Sequence, residues 1–250
     1  MMSPEKYNTN AVIEIKDLKK SFIKNVVLNG FNMNVKEGEN VVVIGKSGSG
    51  KSVLIKCIIG LMKPNSGTIK VFGEDISKLS HNELDKMRAR VGFLFQNNAL
   101  YDSMTIRENL EFPLRRHWIK GTKDNMKDLV LEALTNVGLA STINMKPSEL
   151  SGGMRKRIAL ARTLILKPKI ILYDEPTSGL DPVTGKEISN LIVEIQKKYN
   201  TTSIIISHDL NCAKITANRI VILIDGKCYA NGTFEELKQV SDIKVKQFFD

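Results

Sequence analysis

Val41-Val42-Val43-Ile44-Gly45-Lys46-Ser47-Gly48-Ser49-Gly50-Lys51-Ser52 decides the fold. Four apolar residues read as a buried strand. The residues after them fit G-x-x-x-x-G-K-[ST], whose glycines let backbone N–H groups close around phosphate oxygens. Leu54, Ile55, Ile58 and Ile59 then recur at helical spacing, so the loop joins a strand to a helix, the context this motif requires. The start of that helix adds its positive end to the anion site. Lys51 is placed to reach the β- and γ-phosphates, and Ser52 to offer a hydroxyl to Mg²⁺. A nucleotide hydrolase is expected.

Two further signatures lie far downstream. The apolar run Ile170–Tyr173 predicts a strand from Lys169 that ends at Asp174-Glu175-Pro176. Neighbouring carboxylates there point in different directions and can divide the work. Asp174 is expected to hold Mg²⁺, and Glu175 to polarise the attacking water as general base. Leu150-Ser151-Gly152-Gly153-Met154 precedes a helix with Ile158, Ala161 and Ile165 inward. Free N–H groups at that helix start form an anion site without a side-chain charge. A second such helix end suggests a γ-phosphate held between two copies of the chain.

Around these motifs the chain divides by periodicity. The first 75 residues or so read as strands, with Ile13 and Ile15, then Phe31, Met33 and Val35, in alternation. Lys63-Pro64-Asn65-Ser66-Gly67 is a turn, and Thr68–Phe72 a strand. Residues 80–165 look helical apart from the strand Val91–Phe95. Met126, Leu129, Val130, Ala133, Leu134 and Val137 form one stripe that Gly138 ends. Strands return at Thr202–Ser207 and Ile220–Ile224. Alternating strands and helices with loaded strand ends predict a parallel α/β sheet with its site at the carboxyl edge, and a helical subdomain inserted into it. No internal repeat is visible.

Composition excludes little but fits. The 250 residues are 42% hydrophobic and 26% charged, as in ordinary globular chains. No apolar stretch approaches the roughly 20 residues that span a bilayer. The polar start MMSPEKYNTN lacks a signal peptide's apolar region, so a cytoplasmic location with peripheral membrane association is expected. Cys57, Cys212 and Cys228, widely spaced, read as reduced thiols. A net charge of +10 suits nucleotide, acidic membrane or nucleic acid alike.

Together these motifs resemble the ATP-binding subunits of ABC transporters over nearly the whole chain. The resemblance implies a P-loop ATPase fold with an N-terminal antiparallel β-subdomain. It implies one domain over residues 11–245, with the core and β-subdomain at about 11–95 and 165–240. The helical subdomain would cover about 97–165, and a C-terminal tail 241–250. Gln96 falls where that family's loop glutamine senses the γ-phosphate, Mg²⁺ and the membrane partner. Ser178-Gly179-Leu180-Asp181 matches the loop linking the two sites, and His208 the switch histidine. Phe22 stands where an aromatic ring, most often tyrosine, lies against adenine; a core role is the other reading. Lys46 replaces a common proline and Val53 a common threonine, neither needed for phosphate binding.

The implied ATP site runs over Phe22, Gly45, Lys46, Ser47, Gly48, Ser49, Gly50, Lys51, Ser52, Val53, Gln96, Asp174 and His208. Ser151, Gly152, Gly153 and Asp181 complete it. Mg²⁺ falls to Ser52, Gln96 and Asp174, and catalysis to Glu175, His208, Lys51 and Gln96. The expected mechanism is ATP-driven closure of a homodimer that moves a separate integral-membrane permease at the cytoplasmic face of the inner membrane. Chromosome-maintenance ATPases share these motifs but carry long heptad segments between them. None intervenes between Lys51 and Ser151, so no nucleic-acid partner is expected.

Phe95-Gln96-Asn97-Asn98-Ala99-Leu100-Tyr101-Asp102-Ser103-Met104, Glu108–His117 and the C-terminal Ser241–Asp250, through its Val245–Asp250, resemble the ATPase of the Mla phospholipid-transport branch. That likeness implies an MlaE-like permease and a lipid-shuttling substrate-binding protein as partners. An amino-acid importer or lipoprotein-release system is the alternative. Arg115-Arg116 with His117 either faces acidic lipid heads or is solvated charge. His81 reads as a surface residue. The tail either packs on a neighbouring copy or is a mobile end.

Overall fold

The computed structural model describes residues 11–23, 25–116 and 125–249. The N-terminal residues 1–10, His117 and Asp250 lie outside the described residues. In chain order the elements begin with β1 (Ala11–Phe22), β2 (Asn25–Lys36), β3 (Asn40–Ile44), α1 (Lys51–Ile58), β4 (Ser66–Val71) and β5 (Glu74–Asp75). They continue with α2 (His81–Ala89), β6 (Val91–Leu94), α3 (Ile106–Arg116), α4 (Met126–Asn136), α5 (Gly152–Leu164) and β7 (Ile170–Asp174). The last are α6 (Pro182–Tyr199), β8 (Thr202–Ser207), α7 (Leu210–Thr216), β9 (Arg219–Ile224), β10 (Lys227–Gly232), α8 (Phe234–Lys238) and α9 (Ile243–Lys246).

Two sheets result. One is antiparallel, ordered β2-β1-β4-β5, and the other runs β10-β9-β3-β8-β7-β6. In the larger sheet only the β9–β10 pair is antiparallel. Its central strands carry apolar side chains on both faces, as parallel strands covered from both sides must. Successive side chains alternate between two cores. Val41 and Val43 join α1 and the antiparallel sheet, whereas Val42 and Ile44 join α5, α6 and α7. Ile170 and Leu172 of β7 face the first core, and Ile171 and Tyr173 the second.

This topology places the site. The loops after β3, β6, β7 and β8 all leave the carboxyl ends of parallel strands, so they gather along one edge. β8 lies between β3 and β7 and sets the gap between the glycine loop and the carboxylates.

The stripe expected around Met126–Val137 forms α4, with Val130, Ala133 and Leu134 buried. Gly138 closes it at φ +70. The three cysteines are free, Cys57 and Cys212 buried and Cys228 partly so. His81 is exposed. The tail packs on its own chain and is not a mobile end. Val245 is 1% exposed, Phe248 and Phe249 pack against the chain's own second core, and Phe249 meets Phe234 edge-on at 5.4 Å.

Candidate nucleotide site

Gly50 caps α1 at φ +100, a left-handed conformation that glycine adopts without strain. A Cβ there would come within 2.6 Å of Val27 Cγ1, so the loop can close only around a glycine. The Lys51 ammonium donates to the carbonyls of Gly45, at 2.8 Å, and Lys46, at 3.1 Å. Burial holds the Lys51 ammonium below its usual value, against the opposing pull of Glu175 and Asp174. The Ser49 hydroxyl oxygen is shielded from solvent and has no hydrogen-bond partner among the described residues. A buried donor without a partner suits an incoming phosphate oxygen.

Asp174 ends β7 and accepts the Ser52 hydroxyl hydrogen at 2.9 Å. A hydroxyl and a carboxylate side by side are hard oxygen donors of the kind Mg²⁺ takes, with phosphates and water supplying the remainder. Among the described residues no group of three or more His, Cys, Asp or Glu side chains gathers to hold a metal. The donors therefore fit Mg²⁺ bound with a nucleotide better than a metal caged by protein.

Glu175 follows in the left-handed region at φ +52, which is strained for a non-glycine residue. Its own N–H donates to the Ile206 carbonyl at 2.9 Å. Its Oε2 lies 2.8 Å from His208 Nδ1 and accepts from the His208 backbone N–H at 3.4 Å. Just beyond this pair, the Thr177 hydroxyl donates to Asp209 at 3.0 Å. The loops after β7 and β8 are thereby fastened together twice.

A cleft of about 420 Å³ joins these parts. Ser47, Gly48, Gly50, Lys51, Ser52, Val53, Gln96, Glu175 and His208 line it, with Val27 from β2. Gly45, Lys46, Ser49 and Asp174 shape its floor through the contacts given above. Phe22 lies outside the cleft lining at the end of β1, 43% exposed, which removes the core reading. Ser151, Gly152, Gly153 and Asp181 are also absent from the lining. Ser151 caps α5 by accepting the Met154 N–H at 3.2 Å. Asp181 spends its carboxylate on the Val183 and Thr184 N–H groups at the head of α6.

The sequence pattern described as ABC transporter matches residues 28–178. The chain belongs to the ABC transporter family. It is 39% identical over 237 residues to the intermembrane phospholipid transport system ATP-binding protein MlaF of Haemophilus influenzae, covering 95% of this chain and 89% of that one. It is 40% identical over 238 residues to the probable ribonucleotide transport ATP-binding protein mkl of Mycobacterium leprae, covering 95% and 68%. The methionine import ATP-binding protein MetN of Campylobacter jejuni is 36% identical over 252 residues, covering 95% and 75%. Among solved structures, the ATP-binding cassette MJ0796, a dimer in a post-hydrolysis state bound to ADP and phosphate, superposes with a TM-score of 0.81 at 34% identity. That match covers 88% of this chain and 98% of the other. The protein is thus an ABC ATPase that binds ATP with Mg²⁺ and hydrolyses it.

This ABC ATPase also holds residues that its sequence hides. Lys156 and Arg162 sit in SGGMRKRIALAR, which reads as a basic helix face, yet Lys156 is 2% exposed. Asn109, fully buried in α3, donates to the carbonyls of Tyr101, Met104 and Thr105 and accepts from the Tyr101 N–H. It pins the loop after Gln96. Its only sequence signal is an asparagine among apolar positions four residues before Pro113, which stands inside the helix.

Proposed function

We propose that this subunit powers phospholipid transport through a separate membrane permease, working as an ATP-closed pair of copies. The observation that carries the pairing is spatial. The cleft gathers the phosphate loop, Glu175 and His208, whereas the helix start at Ser151–Gly153 lies outside it, with Ser151 and Gly152 exposed. A second copy can bring its own Ser151–Gly153 to that cleft, and the dimeric relative supports the arrangement.

Lys51 and the glycine-loop N–H groups hold the phosphates, and the Phe22 ring offers a face for the adenine. Ser52, Asp174 and Gln96 would hold Mg²⁺, which would supply positive charge beside the phosphate oxygens. Glu175 orients and deprotonates the attacking water. His208 fixes the Glu175 carboxylate and would meet the γ-phosphate of a bound nucleotide. Asp181, by capping α6, sets the shape of the loop Ser178–Asp181 that would meet the other copy. Among the described residues no helix is long and apolar enough to cross a membrane. In this reading the subunit attaches peripherally to a permease at the cytoplasmic face of the inner membrane.

The lipid assignment rests on MlaF, which this chain matches over nearly all of both sequences. Likeness to MetN favours a second reading, a solute importer. Purification of the tagged chain with its membrane partners, followed by mass spectrometry, tests the choice. A permease carrying bound phospholipid supports the first reading; a permease accompanied by a soluble amino-acid-binding protein replaces it with the second.

A further inference from the structure

α5 brings one buried cation to the site. Lys156 Nζ donates to the backbone carbonyl of Gln96 at 2.9 Å. Six residues on, Arg162 donates to the carbonyls of Ala99, at 2.7 Å, and Asn98, at 3.1 Å. The loop gripped in this way contains two consecutive left-handed residues, Asn98 at φ +61 and Ala99 at φ +51. Such backbone persists only where its surroundings over-determine it. Two side chains of one helix supply that constraint.

Burial holds the Lys156 ammonium below its usual value, and Asp174 and Glu175 oppose the shift. Its charge is less favoured there than in water. A lysine kept under those conditions is a poor stabiliser of the fold. Ser151 and Lys156 share a helix and lie roughly 7.5 Å apart along its axis. Any displacement of the exposed end of α5 must carry the Gln96 main chain with it.

We propose that Lys156 is a positioning residue for ATP hydrolysis, tying the backbone of Gln96 to the helix that starts at Ser151-Gly152-Gly153. Gln96 then follows α5, so that engagement of the Ser151–Gly153 end by the other copy's ATP is felt in this copy's cleft. The inference rests on the role given above to Gln96 in hydrolysis. A structural hydrogen bond alone would affect melting and leave the kinetic constants intact.

The test compares Lys156→Met, Lys156→Arg, Gln96→Ala and the double Lys156→Met/Gln96→Ala in the full chain, by steady-state ATPase kinetics and thermal melting. Lys156→Met is expected to lower kcat about tenfold, with KM for ATP within about twofold and Tm unchanged or higher. Lys156→Arg, which keeps a cationic donor, recovers most of the loss. The double variant is no slower than Gln96→Ala alone, because both changes remove one linkage. Normal kcat in Lys156→Met beside an impaired Gln96→Ala overturns the proposal, as do additive losses in the double variant. A lowered Tm without recovery in Lys156→Arg assigns Lys156 to folding and overturns it too. Normal kcat in Gln96→Ala instead removes the role of Gln96, and with it this inference.

Discussion

His208 Nδ1 lies 2.8 Å from Glu175 Oε2, joining the loop after β8 to the loop after β7 across the mouth of the cleft. The carboxylate side chain is 11% exposed and the imidazole 66%, so the proposed base is shielded and its partner accessible. A base held this way loses little freedom at the moment of proton transfer. The strain at Glu175 fits the same purpose, since its left-handed backbone turns the side chain out of the direction taken by Asp174.

Glu175→Gln removes the base and keeps the shape. Turnover is expected to fall by about 10²–10³, within the usual range for a general base, while ATP affinity is retained. Single-turnover kinetics and equilibrium binding of labelled ATP measure the two separately. Near-normal turnover would remove Glu175 from the role.

His208→Ala deletes the partner without opening the core. Stability should stay within about 0.5 kcal/mol, because the side chain is mostly exposed. Turnover should fall at least about tenfold, since the carboxylate loses its orienting contact. Chemical denaturation paired with ATPase rates separates the effects.

Gly50→Ala should destabilise the chain more than Gly48→Ala. Both positions have positive φ, worth about 1–2 kcal/mol for an L residue. At Gly48 an added Cβ meets nothing within 4 Å, whereas at Gly50 it meets Val27 Cγ1 at 2.6 Å and the Val27 carbonyl at 3.0 Å. Overpacking adds about 1 kcal/mol or more at Gly50. Urea midpoints rank the pair.

Lys51→Met should raise Tm while abolishing tight ATP binding. Burial lowers the Lys51 value in the folded chain from 10.5, so the unfolded chain binds more protons between the lowered value and 10.5. Stability conferred by the wild-type residue therefore rises with pH in that window. The Tm advantage of Lys51→Met is expected to be full at neutral pH and to shrink as pH approaches 10.5. A gap that stays constant or widens would contradict the burial of a charged Lys51.

Much of this was legible in the sequence because the decisive residues announce themselves. Val41–Ile44 is apolar on both faces, and Gly45–Ser52 admits few other uses. Strand ends at Asp174 and Ser207 follow from short apolar runs. The expected strand at Lys169–Tyr173 is shifted by one residue, to Ile170–Asp174. β10 escaped notice because Lys227–Gly232 mixes charge, small residues and a register shift in its pairing with β9. α3 falls within the stretch that reads as helical despite Pro113, but Asn109 is masked by its polarity. Lys156 was invisible for a tertiary reason: only the approach of the Gln96 loop buries it, and nothing local marks that approach.

Pairing of two copies sets the specific ATPase activity of the isolated chain, which a dilution series reads out. Activity per molecule is expected to fall on dilution, and more steeply in Ser151→Ala. Activity per molecule that stays constant at every concentration, and is indifferent to Ser151→Ala, would contradict it.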